Sequence, residues 1–211
     1  MKINKKVAFF IIFILIIIGA IFLLLTRKQV PFVPRESGET WGVKIIDGDI
    51  YKVYASKESE LLISTTDIKD EIIKSFIFVE LSPDRSKMCF VAQSMVPQWL
   101  YYSNADGSGI TQIGLGKNCT WSNNSKKVAY NNHTTDVSPV NVLVYDLLLK
   151  KTTNYTAGVQ SADLLRAYKM PVWSPDDNTI TSEFSSLTSG TGATGKGVST
   201  IDLKSGEVSD E

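Results

Sequence analysis

Residues 190 to 197 read GTGATGKG, one position short of the pattern G-x-x-x-x-G-K-[ST]. In that pattern backbone amides cradle a phosphate chain, the lysine reaches its outer phosphates and the last hydroxyl holds Mg²⁺. Position 197 is glycine, so the metal-binding hydroxyl is missing. A phosphate cradle also needs a helix starting at the lysine, with its free amides facing the anion. After Lys196 the chain reads GVSTIDLKSG, which alternates like a strand and ends in a turn. The expectation is a Gly/Ser/Thr loop over 185–197, with no nucleotide and no other cofactor.

The other candidates for chemistry are few. His133 is the only histidine and sits near Asp136 in the polar stretch NNHTTDVSP. A His-Asp pair can orient a base, but no G-x-S-x-G nucleophile elbow occurs in the chain, and a solvated loop histidine is the simpler reading. Asp47 and Asp49 in IDGDIY lack the spacing and distal glutamate of a calcium loop and read as a hairpin turn, as does NADGSG at 104 to 109. No catalytic set and no metal site are expected. Trp99, Trp121 and Trp173, with Tyr101, Tyr102 and Tyr130, lie in or beside strand-like runs and are expected to be core.

The elements that must position these residues begin with an anchor. Residues 7–25, VAFFIIFILIIIGAIFLLL, form an uncharged apolar run of 19. At about 1.5 Å per residue, such a helix nearly spans a hydrocarbon layer of about 30 Å. The run is longer than a signal-peptide core and exits into TRKQVPF rather than a small-residue cleavage site, so an uncleaved transmembrane signal-anchor is expected over a cleaved signal peptide. Residues 1–6 would be a cytoplasmic tail by the positive-inside rule, and the body would lie outside the cytoplasm, on a cell membrane. Residues 26–40 read as a linker.

Charge narrows the partners. Five of the 22 basic residues fall within the first 28, and the remainder carries 17 basic against 22 acidic side chains. That mildly acidic body has no basic stripe, so nucleic acid is not an expected partner. Cys89 and Cys119 suit an oxidising compartment if they pair, and equally read as two small buried residues in neighbouring strands.

From Trp41 onward, short β-rich runs alternate with turns. Three segments align: ELSPDRSKMCFVA at 80–92, TWSNNSKKVAYNN at 120–132 and VWSPDDNTITSEF at 172–184. Their serines, Ser82, Ser122 and Ser174, are 40 and 52 residues apart, near the ~40 to 50 of one four-stranded propeller blade. Pro83 and Pro175 preset a turn φ, while Asp84 and Asp176 can bond the local backbone; together with Trp121 and Trp173 these are structural turn residues.

The repeat resembles that of the TolB-like β-propellers, whose blades carry W-S-P-D-G-K-x-I-A-[FY] followed by I-Y-x-x-D-x-x-[GT]-G. TWSNNSKKVAY and VWSPDDNTI match the first part, and IDLKSGEV and LYYSNADGSG the second. The family's glycine is replaced by Arg85, Ser125 and Asp177. The resemblance covers roughly 75–211, and 41–65 supplies three strands of a weaker, earlier blade without an obvious inner strand. The expected fold is therefore all-β, with three to four propeller blades over 41–211 after one N-terminal transmembrane helix. Four blades are the fewest that usually close a ring. The blades are expected to close as a small ring, against another copy or, preferably, through a longer reading frame.

What the resemblance implies about function is broad, because propellers host many activities. The leading expectation is a membrane-anchored extracytoplasmic scaffold, not an enzyme, that binds a protein, peptide or glycan at one rim. The alternative is the N-terminal propeller portion of a dipeptidyl-peptidase-like serine hydrolase whose catalytic domain lies outside this chain. A sugar-cleaving propeller with paired carboxylates is a third reading.

Overall fold

In the computed structural model, the described residues are 40–69, 72–95, 97–132, 139–161, 163–188, 192 and 194–211. They form four antiparallel sheets. Sheet 1 holds β1 (Trp41–Ile46), β2 (Asp49–Tyr54) and β3 (Ser59–Ile63) in the order β1-β2-β3. Sheet 2 holds β4 (Ser75–Leu81), β5 (Lys87–Gln93), β6 (Gln98–Asn104) and β7 (Thr111–Leu115), again in chain order. Sheet 3 holds β8 (Cys119–Trp121), β9 (Lys127–Asn131), β10 (Val142–Asp146) and β11 (Lys151–Asn154). Sheet 4 holds β12 (Leu164–Tyr168), β13 (Val172–Trp173), β14 (Thr179–Thr188), β15 (Thr194–Asp202) and β16 (Val208–Asp210), where β12 and β13 both pair with β14.

One backbone hydrogen bond recurs in every sheet and sets the four in register. Just past the third strand, an N–H bonds the carbonyl just before the second: Ala105 to Ser86, Leu147 to Lys126 and Leu203 to Asn178, at 3.0 to 3.1 Å. In sheet 1 the same bond runs from Ala55 to Thr40. β1 is thus the counterpart of β5, β9 and β14. The inner position of sheet 1 is unfilled among the described residues, as the repeat suggested.

The sheets pack face to face through three apolar clusters, each spanning two consecutive sheets. Ile50 and Ile63 meet Phe76, Phe90 and Tyr101 between sheets 1 and 2. Val91 and Leu100 meet Trp121, Val128 and Tyr130 between sheets 2 and 3. Ala129, Val142 and Val144 meet Tyr168, Ile180 and Phe184 between sheets 3 and 4. Burial follows this order. Met88 to Ala92 of β5 are all fully buried, because neighbours cover both faces. β14 instead alternates, with Ile180, Ser182 and Phe184 buried and Thr181, Glu183 and Ser185 exposed, because among the described residues one face has no sheet against it. Cys89 of β5 and Cys119 of β8 form a disulfide across the second cluster, with Cα atoms 6.4 Å apart.

The anchor at 7–25, the tail and the linker up to residue 39 lie outside the described residues, as do His133 and Asp136. Among the described residues, no helix is long and apolar enough to cross a membrane. The loop expected over 185–197 is corrected. Ser185 pairs with Lys196, Phe184 with Gly197 and Leu187 with Thr194, so the connection shortens to 189–193. Gly197 permits this, because a Cβ there would sit 2.8 Å from Phe184 Cζ. Lys196 therefore lies in a ladder rather than at a helix start.

Candidate functional site

Antiparallel strands put the connections of each sheet on two opposite rims. One rim gathers the first-to-second and third-to-fourth turns, and the other gathers the second-to-third loops with the crossings between sheets.

The turn rim holds every residue singled out by the repeat. Ser82 Oγ donates to Asp84 Oδ1 at 2.6 Å and accepts from Lys87 N at 3.0 Å, while Asp84 Oδ1 accepts from Ser86 N. Ser174 and Asp176 repeat this pattern with Thr179 and Asn178, and Ser122 and Asn124 repeat it with Lys127 and Lys126. The serine hydroxyl is the first cause of a carboxyl pKa held down to about 2 at both Asp84 and Asp176, with the backbone amide next. Pro83 and Pro175 are exposed at the second turn position.

Arg85, Ser125 and Asp177, which stand where the resembled repeat has glycine, all adopt φ 59°, in the left-handed region. Their side chains reach the preceding sheet. Ser125 Oγ accepts from Asp84 N at 3.1 Å. The Asp177 carboxylate accepts from the backbone of Asn123 at 2.6 Å and of Asn124 at 2.9 Å. The Arg85 guanidinium lies over the Trp41 ring and donates to the Trp41 carbonyl. The tryptophans add a second set of links: Trp121 Nε1 donates to Glu80 O at 3.2 Å, and Trp173 Nε1 to Thr120 O at 3.1 Å. This rim is locked sheet to sheet, and its named residues are occupied with structure rather than with ligand.

The loop rim differs. Its strand connections are residues 47–48, 94–97, 132–141 and 189–193. Asp47 and Gly48, at φ 51° and 88°, make a tight two-residue hairpin, and Asp49 Oδ1 accepts from Thr65 N. Between sheets 3 and 4 an amide frame holds the base of the longest loop. Thr156 Oγ1 donates to Asn141 Oδ1 at 3.1 Å and accepts from Val142 N at 2.9 Å. Gln160 Nε2 donates to Asn141 Oδ1 and to Arg166 O, while its oxygen accepts from Arg166 N. Asn132 Oδ1 accepts from Asn141 N, and Asn131 Nδ2 donates to Asn141 O. On the neighbouring gap, Gln98 Nε2 donates to Gln93 Oε1 at 2.8 Å. Two buried acceptors here, Gln98 Oε1 and Asn131 Oδ1, have no partner among the described residues. Asn131 is 0% exposed, so its oxygen is costly to leave unpaired and suits a donor from water or a polar ligand.

These groups are neutral hydrogen-bonders, fit for a peptide backbone or hydroxyls rather than for acid-base work. Among the described residues, no three His, Cys, Asp or Glu gather to hold a metal ion. Sequence reading did not single out Asn131, Asn141, Thr156 or Gln160. The available signal was the run of amides flanking the longest interstrand loop.

Stacked antiparallel sheets with turn-to-turn clasps on one rim and loops on the other define a propeller-type scaffold. No protein-family model matches the chain, and no curated protein does. The likeness rests on solved structures. A TolB from Agrobacterium tumefaciens matches with TM-score 0.51 and 12% identity over 81% of this chain and 76% of that one. Dipeptidyl peptidase 4 from Porphyromonas gingivalis matches with TM-score 0.54 and 11% identity over 81% of this chain and 32% of that one. An oligogalacturonate lyase from Vibrio parahaemolyticus matches with TM-score 0.57 and 10% identity over 78% of this chain and 47% of that one. The fold is that of TolB-like propeller blades. The chain spans about three-quarters of the first structure and less than half of the other two.

Proposed function

We propose that this chain is a membrane-anchored extracytoplasmic scaffold whose loop rim binds a protein, peptide or glycan. The observation that supports it is the contrast between rims, one closed by interlocking turns and the other bearing loops over a neutral amide frame whose buried acceptors Gln98 Oε1 and Asn131 Oδ1 find no partner among the described residues. The apolar run at 7–25 supports anchoring, and the Cys89–Cys119 disulfide supports an oxidising compartment. A photo-crosslinker replacing exposed Met95 on the loop rim is expected to capture an envelope protein or glycan in cells. The same probe at Lys204 on the turn rim is expected to capture none. Capture from neither position, or only from Lys204, sinks the proposal.

A second reading is the propeller portion of a dipeptidyl-peptidase-like serine hydrolase, favoured by the match to about a third of the Porphyromonas peptidase. It requires a nucleophile elbow and a further histidine encoded downstream of Glu211. Sequencing the gene past that codon decides it.

A further inference from the structure

The four-sheet register supplies an internal control for the turns that join third to fourth strands. Ala55, Ala105, Leu147 and Leu203 occupy one equivalent position, defined by their shared backbone hydrogen bond. Leu147 and Leu203 accordingly pack against the clusters between sheets. The next two positions are Ser56-Lys57 in sheet 1, Asp106-Gly107 in sheet 2 and Lys204-Ser205 in sheet 4. In sheet 3 they are Leu148 and Leu149, which are 86% and 69% exposed. Nothing in the repeat requires leucine there, and neither side chain joins a core cluster.

The surroundings of these leucines are basic. Lys150 and Lys151 follow directly, and Lys126, whose carbonyl accepts from Leu147 N, is exposed beside them. Lys127, on the adjacent strand β9, lies in register opposite Asp146. Asp146 is the one carboxylate within this hairpin tip, and its Oδ1 accepts from both Leu148 N and Leu149 N at 2.9 Å. The tip's leading amides are already bonded, so entering a less polar medium strips few unpaired groups from water.

We propose that this Leu148-Leu149 tip with Lys126, Lys150 and Lys151 is a docking point for an anionic lipid surface. Leucines entering the acyl boundary while flexible lysine stems carry their charges back to the headgroups is the chemistry of interfacial binding. The attraction is strongest to negatively charged lipid and is screened by salt. This goes beyond the loop-rim reading and does not depend on it, because the tip lies on the opposite rim.

The test uses the full chain with Leu149→Cys carrying an environment-sensitive dye. Both natural cysteines are held in the disulfide, which leaves that thiol as the single labelling point. On phosphatidylcholine vesicles containing phosphatidylglycerol, dye emission is expected to rise several-fold, to shift to the blue and to be quenched by spin labels in the acyl chains. High salt or Lys150→Gln with Lys151→Gln reverses this, and dye at Lys204→Cys, the matching tip of sheet 4, stays water-exposed throughout. Equal emission with and without phosphatidylglycerol overturns the proposal. So does emission that responds to a soluble acidic protein and not to vesicles, which would assign the tip to a protein partner.

Discussion

Asp177 and Asn123, 54 residues apart, tie the turns of sheets 4 and 3 together: the Asp177 carboxylate takes the backbone N–H of Asn123 at 2.6 Å and its side-chain amide at 2.8 Å. Asp177 does so from a left-handed conformation in which glycine would be free of strain. Asp177 in place of glycine therefore exchanges local ease for a link between blades.

Asp177→Gly tests that exchange. Glycine relieves about 1–2 kcal/mol of left-handed strain but adds about 0.5–1 kcal/mol of chain entropy to be lost on folding, while losing hydrogen bonds to a charged acceptor costs about 1.5–3 kcal/mol. The variant is expected to lose about 1 kcal/mol net in urea unfolding. Arg85→Gly, which gives up a hydrogen bond to one neutral carbonyl, is expected to change little or gain slightly. A clear gain in Asp177→Gly would mean the clasp contributes nothing.

The disulfide closes a loop with a sequence separation of 30 and joins sheets 2 and 3. Chain-entropy reasoning assigns such a link roughly 3–4 kcal/mol. Replacing both cysteines with alanine, which adds no polar group to a fully buried site, should lower the unfolding free energy by about that amount.

Acid sensitivity is expected at the turn rim. The folded-state pKa values of Asp84 and Asp176, at about 2, lie below their ordinary value of 3.8. The stability they contribute is therefore present above about pH 4 and lost as pH falls toward 2. Sheet 3 already uses Asn124 in the same role. Asp84→Asn with Asp176→Asn should thus keep the turns and flatten the fall in thermal midpoint between pH 4 and 2. Asp210, held low first by its bond to Arg166, keeps some slope in that range.

Gly107 packs the tip of sheet 2 onto sheet 1. Its φ is 84°, and a Cβ there would lie 2.5 Å from the Leu62 carbonyl oxygen. Backbone cannot yield as a side chain does, so Gly107→Ala should cost roughly 2–3 kcal/mol. An unchanged urea midpoint would show that the two sheets can part at this contact without loss.

Much of the fold was legible in the chain. The spacing of Ser82, Ser122 and Ser174 located three blades, and the alternating runs from Trp41 located the partial one, because turn chemistry and strand alternation are local properties. The loop rim was far less legible. Asn131, Asn141, Thr156 and Gln160 come from a strand, a loop base and a crossing, and no local pattern joins them. The 185–197 segment misled because its glycines and small polar residues signal a loop, yet Gly197 serves to admit the Phe184 ring within a strand pair.

By itself, then, the amino-acid sequence determined the blades, their turns and the absence of the Mg²⁺ hydroxyl at Gly197, all of which depend on neighbours along the chain. Only the tertiary structure decided that Cys89 meets Cys119, that Arg85, Ser125 and Asp177 grip the preceding sheet, and that Leu148 and Leu149 stand outside every core. Those facts depend on which sheet lies against which, and such contacts form between residues tens of positions apart.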